Sequence, residues 1–185
     1  MVRQLNWSAI QATSDGGFEA LPAGPYVVKI VEMNDKEDRE YVEVVFDIAE
    51  GPKAGYYSDD WGKAHSYTHH FFMSYKETAQ GMLKGRLESI QKSNPGFDPF
   101  AAWDANRLDM FKNRLVGVNL QEEEYENRDG EVRTRLNVCQ VVDAQLVRDG
   151  KVKVRDKKKL DGNTQASSAK PSASAAAMSE EDIPF

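Results

Sequence analysis

One cysteine and three histidines are all that the chain carries of the residues that build disulfides and soft-metal sites. Cys139 alone cannot close an intrachain disulfide or a cysteine metal cluster, and its place inside an apolar run predicts an inert thiol in a reducing compartment. Long hydrophobic runs are missing too. No stretch approaches the ~20 apolar residues needed to cross a bilayer, and the N-terminus lacks the basic-then-apolar pattern of a secretory signal, so a soluble, intracellular protein with no membrane partner is expected. There is no nucleophile elbow, Ser-His-Asp spacing or phosphate-cradling glycine loop, so neither an enzyme nor a cofactor is expected. An excess of base is also lacking, since the formal net charge is −6. Its distribution blunts the argument against a polyanionic partner. From Asp161 onward four acids face one base, while the rest of the chain holds 23 bases and 26 acids, near enough to balance for one face to be basic.

What is present is strand patterning. With 185 residues, 40% of them hydrophobic, the chain can bury one substantial core. The organising stretch is Gly24 to Ile48. Tyr26, Val28 and Ile30 alternate with Val27, Lys29 and Val31, and after a charged turn Val42, Val44, Phe46 and Ile48 alternate with Tyr41, Glu43, Val45 and Asp47. This predicts an antiparallel hairpin with one core face and a solvated tip at 34–40. Residues 1 to 23 are irregular, with Trp7 and Phe18 expected to pack on the barrel edge. Residues 51–65 form a long glycine-rich loop carrying Lys53, Tyr56, Tyr57, Trp61 and Lys63, aromatics that either plug the end of the core or stack on bases.

Ser66 to Met73 is expected to be a third strand. Ser74-Tyr75-Lys76-Glu77 fits a capping box, and Ala79, Met82, Leu83, Leu87 and Ile90 follow at helical spacing until Ser93-Asn94-Pro95-Gly96. Asp98-Pro99 can cap a short second helix through Trp103. A second hairpin is expected from Leu115 to Val138, turning at Asn127-Arg128-Asp129-Gly130. Val116, Val118, Leu120, Val132, Thr134, Leu136 and Val138 would face inward, with Asn119, Gln121, Arg133, Arg135 and Asn137 outward. Asp143 to Gly150 is a short helix or turn and Lys151 to Lys159 a basic strand or arm. The Ser/Ala-rich run that follows has no apolar periodicity and is expected to be disordered.

The order β-β-β-α-β-β is that of an OB-fold, a mainly β, five-stranded barrel with a helix between strands 3 and 4, whose central strands and loops bind single-stranded oligonucleotides or oligosaccharides. Binding a strand requires aromatics for the bases and cations for the backbone. Candidates for single-stranded DNA are Lys36, Arg39, Tyr41, Lys53, Tyr56, Tyr57, Trp61, Lys63, Tyr67, Arg128, Arg133 and Arg135. The expected division is a binding domain at 1–160, a linker at 161–178 and an acidic tip at 179–185.

Glu180-Glu181-Asp182-Ile183-Pro184-Phe185 resembles the acidic tip of bacterial single-stranded DNA-binding proteins. Ile-Pro-Phe ends a chain by chance roughly once in several thousand at average composition. The body, through LPAGPYVVKI, VVFDIAEG, the capped helix and QEEEYENRDGEVRTRLNV, is similar to a phage-encoded family of such proteins. The family tip is richer in Asp than this one. The resemblance implies DNA replication, recombination and repair in a bacteriophage-infected cell, a cytoplasmic location in the bacterial host, and a tip that recruits proteins of DNA metabolism. A terminal Phe185 can place its ring in an apolar pocket and its carboxylate on a basic rim.

Two other classes remain. Asp59, Asp60, His65, His69 and His70 cluster in sequence as a metal-dependent nuclease or hydrolase would require, although on a strand His69 and His70 would point to opposite faces, and His65 and His69 would stand about 13 Å apart. An interaction scaffold without DNA affinity keeps the tip and discards the groove. Monomer and homo-oligomer are both compatible with the sequence.

Overall fold

The computed structural model describes residues 21–58 and 66–160. Trp7, Phe18, Asp59 to His65, the linker and the tip lie outside the described residues. Strand β1 (Gly24–Lys36) and β2 (Tyr41–Ile48) form the first hairpin across a 3-10 turn at Glu37–Arg39, closed by Glu40 in the left-handed region at φ 57°. β1 is shared by two ladders. It pairs with β2 from Val28↔Ile48 to Lys36↔Tyr41 and with β4 (Leu115–Glu126) from Gly24↔Leu120 to Lys29↔Leu115. β3 (His70–Ser74) adds to β2 and β5 (Val132–Val142) adds to β4, giving one antiparallel sheet of five strands in the order β3-β2-β1-β4-β5.

Alternation sets the core face. Val42, Val44, Phe46 and Ile48 of β2 are buried with Val28 and Ile30 of β1 and with Val116, Val118 and Leu120 of β4. A bulge between Ile30 and Glu32 shifts the phase of β1, so Val31 is exposed and Met33 turns to the core beyond it. Such an extra residue bends its strand and increases the local twist. Helix α1 (Gln80–Ser93), between β3 and β4, lays Leu83, Leu87 and Ile90 on this face, and α2 (Pro99–Asp104) and Phe111 extend the cover. Asp98 caps α2 as expected, accepting from the backbone N–H groups of Phe100 and Ala101 at 3.0 and 3.1 Å.

Several expectations are corrected. The third strand starts at His70, because Ser66–His69 winds into a 3-10 turn that packs towards the preceding loop: Thr68 Oγ1 donates to the Tyr57 hydroxyl, and the His69 ring stacks on Tyr57. The capping box does not form. Ser74 ends β3, its hydroxyl donating to the Glu40 carbonyl and accepting from the Lys76 N–H, and a 3-10 turn at Glu77–Ala79 separates it from α1. Met82 faces outward. Val132 and Thr134 share the inward register of β5 but are exposed, because the β4–β5 ribbon runs on beyond the core.

The opposite face of the sheet is covered in part as well. Helix α3 (Ala144–Arg148) packs on β1 and β4 there. Gly117 makes this approach possible, since a Cβ at that position would lie 2.8 Å from side-chain carbons of both Val142 and Val147. Asn119, expected outward, is buried on this face, its Nδ2 donating to the Lys153 carbonyl.

Candidate nucleic-acid interface

The outer face of the β4–β5 ribbon brings together Tyr125, Arg133, Arg135, Glu123 and Asn137, since cross-strand partners Tyr125↔Arg133, Glu123↔Arg135 and Gln121↔Asn137 share one face. Glu123 is the hub of this group. It is 6% exposed, accepts from Arg135 Nη2 at 3.0 Å and Lys158 Nζ at 2.7 Å, and has Asn137 Nδ2 at 3.4 Å. Burial pushes its carboxyl pKa up, yet the hydrogen bonds from Lys158 and Arg135 outweigh it and hold the group below its usual range. The Arg135 guanidinium also lies 5.0 Å from the centre of the half-exposed Tyr125 ring, a cation–π contact that fixes both side chains. Arg133 pairs with Glu131 at 2.9 Å on the exposed rim, and Arg128 is exposed at the turn.

Beside the ribbon runs the segment Lys151–Leu160. Asn119 Nδ2 donates to the Lys153 carbonyl and Gln121 Nε2 to the Asp156 carbonyl, at 2.9 and 2.7 Å. Lys158 then pairs by backbone with Glu122 and Glu124, a parallel bridge on β4 just past the point where its ladder with β1 ends. Lys157 Nζ meets Glu124 at 2.9 Å.

The remaining candidates are placed elsewhere. Lys36 and Arg39 sit at the β1–β2 tip, at the opposite end of β1 from its pairing with the ribbon. Tyr41 is on the outer face of β2 but only 3% exposed, its ring edge-on to Phe72 at 5.3 Å, so it offers no open face to a base. Tyr57 is a core side chain: it stands edge-on to Phe46 and stacked on His69 at 4.5 Å, and burial pushes its pKa up to about 12. The half-buried Tyr56 lies edge-on to it and accepts from the Leu21 N–H. These two tyrosines therefore plug the core. Asp47 anchors the same loop, buried and accepting from the N–H groups of Ile48 and Tyr57 and from the Ser58 hydroxyl. Lys53 is half-buried in this loop and Tyr67 belongs to the 3-10 turn; Trp61 and Lys63 are outside the described residues.

Of the proposed metal ligands, Asp59, Asp60 and His65 also lie outside. His69 and His70 have rings 4.7 Å apart, and His70 Nδ1 is 2.6 Å from Glu43 Oε1, which lowers the Glu43 pKa. Among the described residues no group of three or more His, Cys, Asp or Glu could hold a metal ion, and no helix is long and apolar enough to cross a membrane.

Tyr125 is missing from the sequence-derived set. The signal for it is there, because the alternation that sends Asn119 and Gln121 outward continues to 123 and 125. No family model matches the chain, and no curated protein matches it.

Proposed function

We propose that this is a non-enzymatic, sequence-tolerant single-stranded DNA-binding protein built on an OB-type barrel, with the 179–185 tip recruiting proteins of DNA metabolism. The observation that carries the reading is the cluster of Tyr125, Arg133 and Arg135 on one face of β4–β5, an aromatic ring among cations as a stacked, charged strand requires. The sheet supports it. The order β3-β2-β1-β4-β5 with α1 between β3 and β4 is that of an OB barrel opened between its third and fifth strands, and the turn at Ser66–His69, just before β3, packs towards β5. The Ile-Pro-Phe of the tip supplies an apolar anchor beside three acids, a combination that a purely solubilising tail does not call for.

Titration of labelled single-stranded and duplex oligonucleotides at two salt concentrations tests the reading. Tight binding to single strands, weak binding to duplex and an affinity that falls with salt are expected. Equal affinity for the two forms overturns it.

A further inference from the structure

We propose that the Lys151–Leu160 arm is the second wall of the strand-binding groove and that Lys153 and Arg155 neutralise phosphates of the bound strand. The proposal rests on the single-strand reading above. Residues 151–159 hold six bases and one acid, and the structure divides these bases into two sets. Lys157 and Lys158 are spent on Glu124 and Glu123, and together with the Asn119 and Gln121 contacts they fasten the arm along β4. Lys151 is paired with Asp149, whereas Lys153, Arg155 and Lys159 are exposed and have no carboxylate partner among the described residues.

Their place follows from the contacts of the arm. Val154, between them, points towards β1, where its methyl lies 3.5 Å from the position a Cβ would take on Gly24. Lys153 and Arg155 flank Val154 and are exposed, on a stretch whose Lys153 and Asp156 carbonyls are held by the outward side chains Asn119 and Gln121 of β4. The arm is thereby held beside the ribbon face that carries Arg133 and Arg135. The Cys139 thiol donates to the Asn119 carbonyl; burial raises its pKa, and the Arg155 guanidinium opposes the rise. The unneutralised Lys153 and Arg155 of the arm and the rim Arg133 of β5 would flank a strand from both sides, with the half-exposed Tyr125 ring between them for a base. Cations without a protein counter-charge are the ones whose contact with phosphate releases condensed ions, so they carry the salt dependence.

The experiment compares wild type, a Lys153→Ser/Arg155→Ser double variant and a Lys92→Ser/Lys112→Ser double variant in titrations of oligothymidylate over a salt series. All four lysine and arginine positions are exposed, so each variant keeps the packed core, and the two doubles change net charge equally. Losing two phosphate contacts should flatten the log-log salt slope by about 1.4 in the arm variant, at about 0.7 per phosphate, and leave the control slope at the wild-type value. If wild type binds and the arm variant keeps its slope, the arm is no wall of the groove while the single-strand reading stands. If wild type does not bind oligothymidylate, both fall.

Discussion

His69 shows how much a single residue can be set by its neighbours. It is largely buried between Tyr57 and Phe46, beside His70, and its Nδ1 has no hydrogen-bond partner among the described residues. Burial, reinforced by His70 and resisted by Asp47 and Glu43, lowers its pKa to about 4 from 6.5, so the native state carries it neutral. The unfolded chain takes up a proton at higher pH than the folded one. Stability is therefore unaffected by this group above about pH 7 and falls as pH drops from 6.5 towards 4, by roughly 2–3 kcal/mol in total. Glu43, lowered by its bond to His70, adds a loss of the same sign as pH falls through its depressed value. His69→Phe keeps the stack and removes the proton site, so its urea-unfolding free energy should decline less over pH 6.5 to 4 than that of wild type. Parallel declines would show that His69 does not carry the acid sensitivity.

Glu123 makes the two arginines of the ribbon unequal. Arg133 is on the rim and paired with Glu131, so Arg133→Ala should flatten the salt slope by less than the ~0.7 of an unpaired cation, with stability changed by less than about 0.5 kcal/mol. Arg135 is held by a buried carboxylate, and Arg135→Ala should cost about 1–3 kcal/mol of folding stability besides any loss of binding, because it removes a partner from a desolvated charge. Denaturant unfolding of both variants checks this. Equal stability would show that Lys158 alone satisfies Glu123.

Among the elements, the end of α1 is tied to β4 by the Asn94 side chain. Asn94, just past its end, donates through Nδ2 to the carbonyls of Ile90 and Leu115 at 2.7 and 2.8 Å and accepts from the Leu115 N–H at 2.9 Å. The helix terminus and the first residue of β4 thereby satisfy backbone groups that each would otherwise leave open. Asn94→Ala should lower stability by about 2 kcal/mol, read as a fall in urea midpoint with unchanged m-value. Sequence alone marks Asn94 as a helix stop and says nothing of β4, which begins 21 residues later. The same limit explains the other misses. Period-two alternation places Asp47, Asn119 and Tyr41 on the outer face correctly, but it cannot tell what covers that face. Asn119 is covered by the 151–160 arm, a segment that comes later in the chain and reads alone as a charge run. Core positions such as Val44, Phe46 and Leu120 were legible because their burial follows from the local pattern. Ser74 was misread because a cap motif is local, while its hydroxyl is claimed by Glu40 from across the sheet.

For the whole molecule, the described core is drawn from five strands and the helices packed on them. A Ser/Ala-rich run without apolar periodicity precedes residues 179–185 in the sequence, so deleting Ser179 to Phe185 should leave the unfolding midpoint unchanged. Its effect on DNA affinity should be electrostatic. Glu180, Glu181 and Asp182 carry three negative charges on a tether of the chain that also bears the basic arm, and they can compete with phosphate for Lys153, Arg155 and the ribbon arginines. Deletion should raise affinity for oligothymidylate at low salt, and the gain should shrink by 0.3 M salt as screening shortens to below ~8 Å. Phe185→Ala separates the two roles of the tip. It keeps all three acids and should leave DNA affinity and its salt slope as in wild type, while removing most of the capture of replication and repair proteins from nuclease-treated bacterial lysate. If the Phe185→Ala and tip-deleted proteins capture those proteins as well as wild type does, recruitment through the tip is wrong. If deletion leaves low-salt affinity unchanged, the acids do not reach the groove.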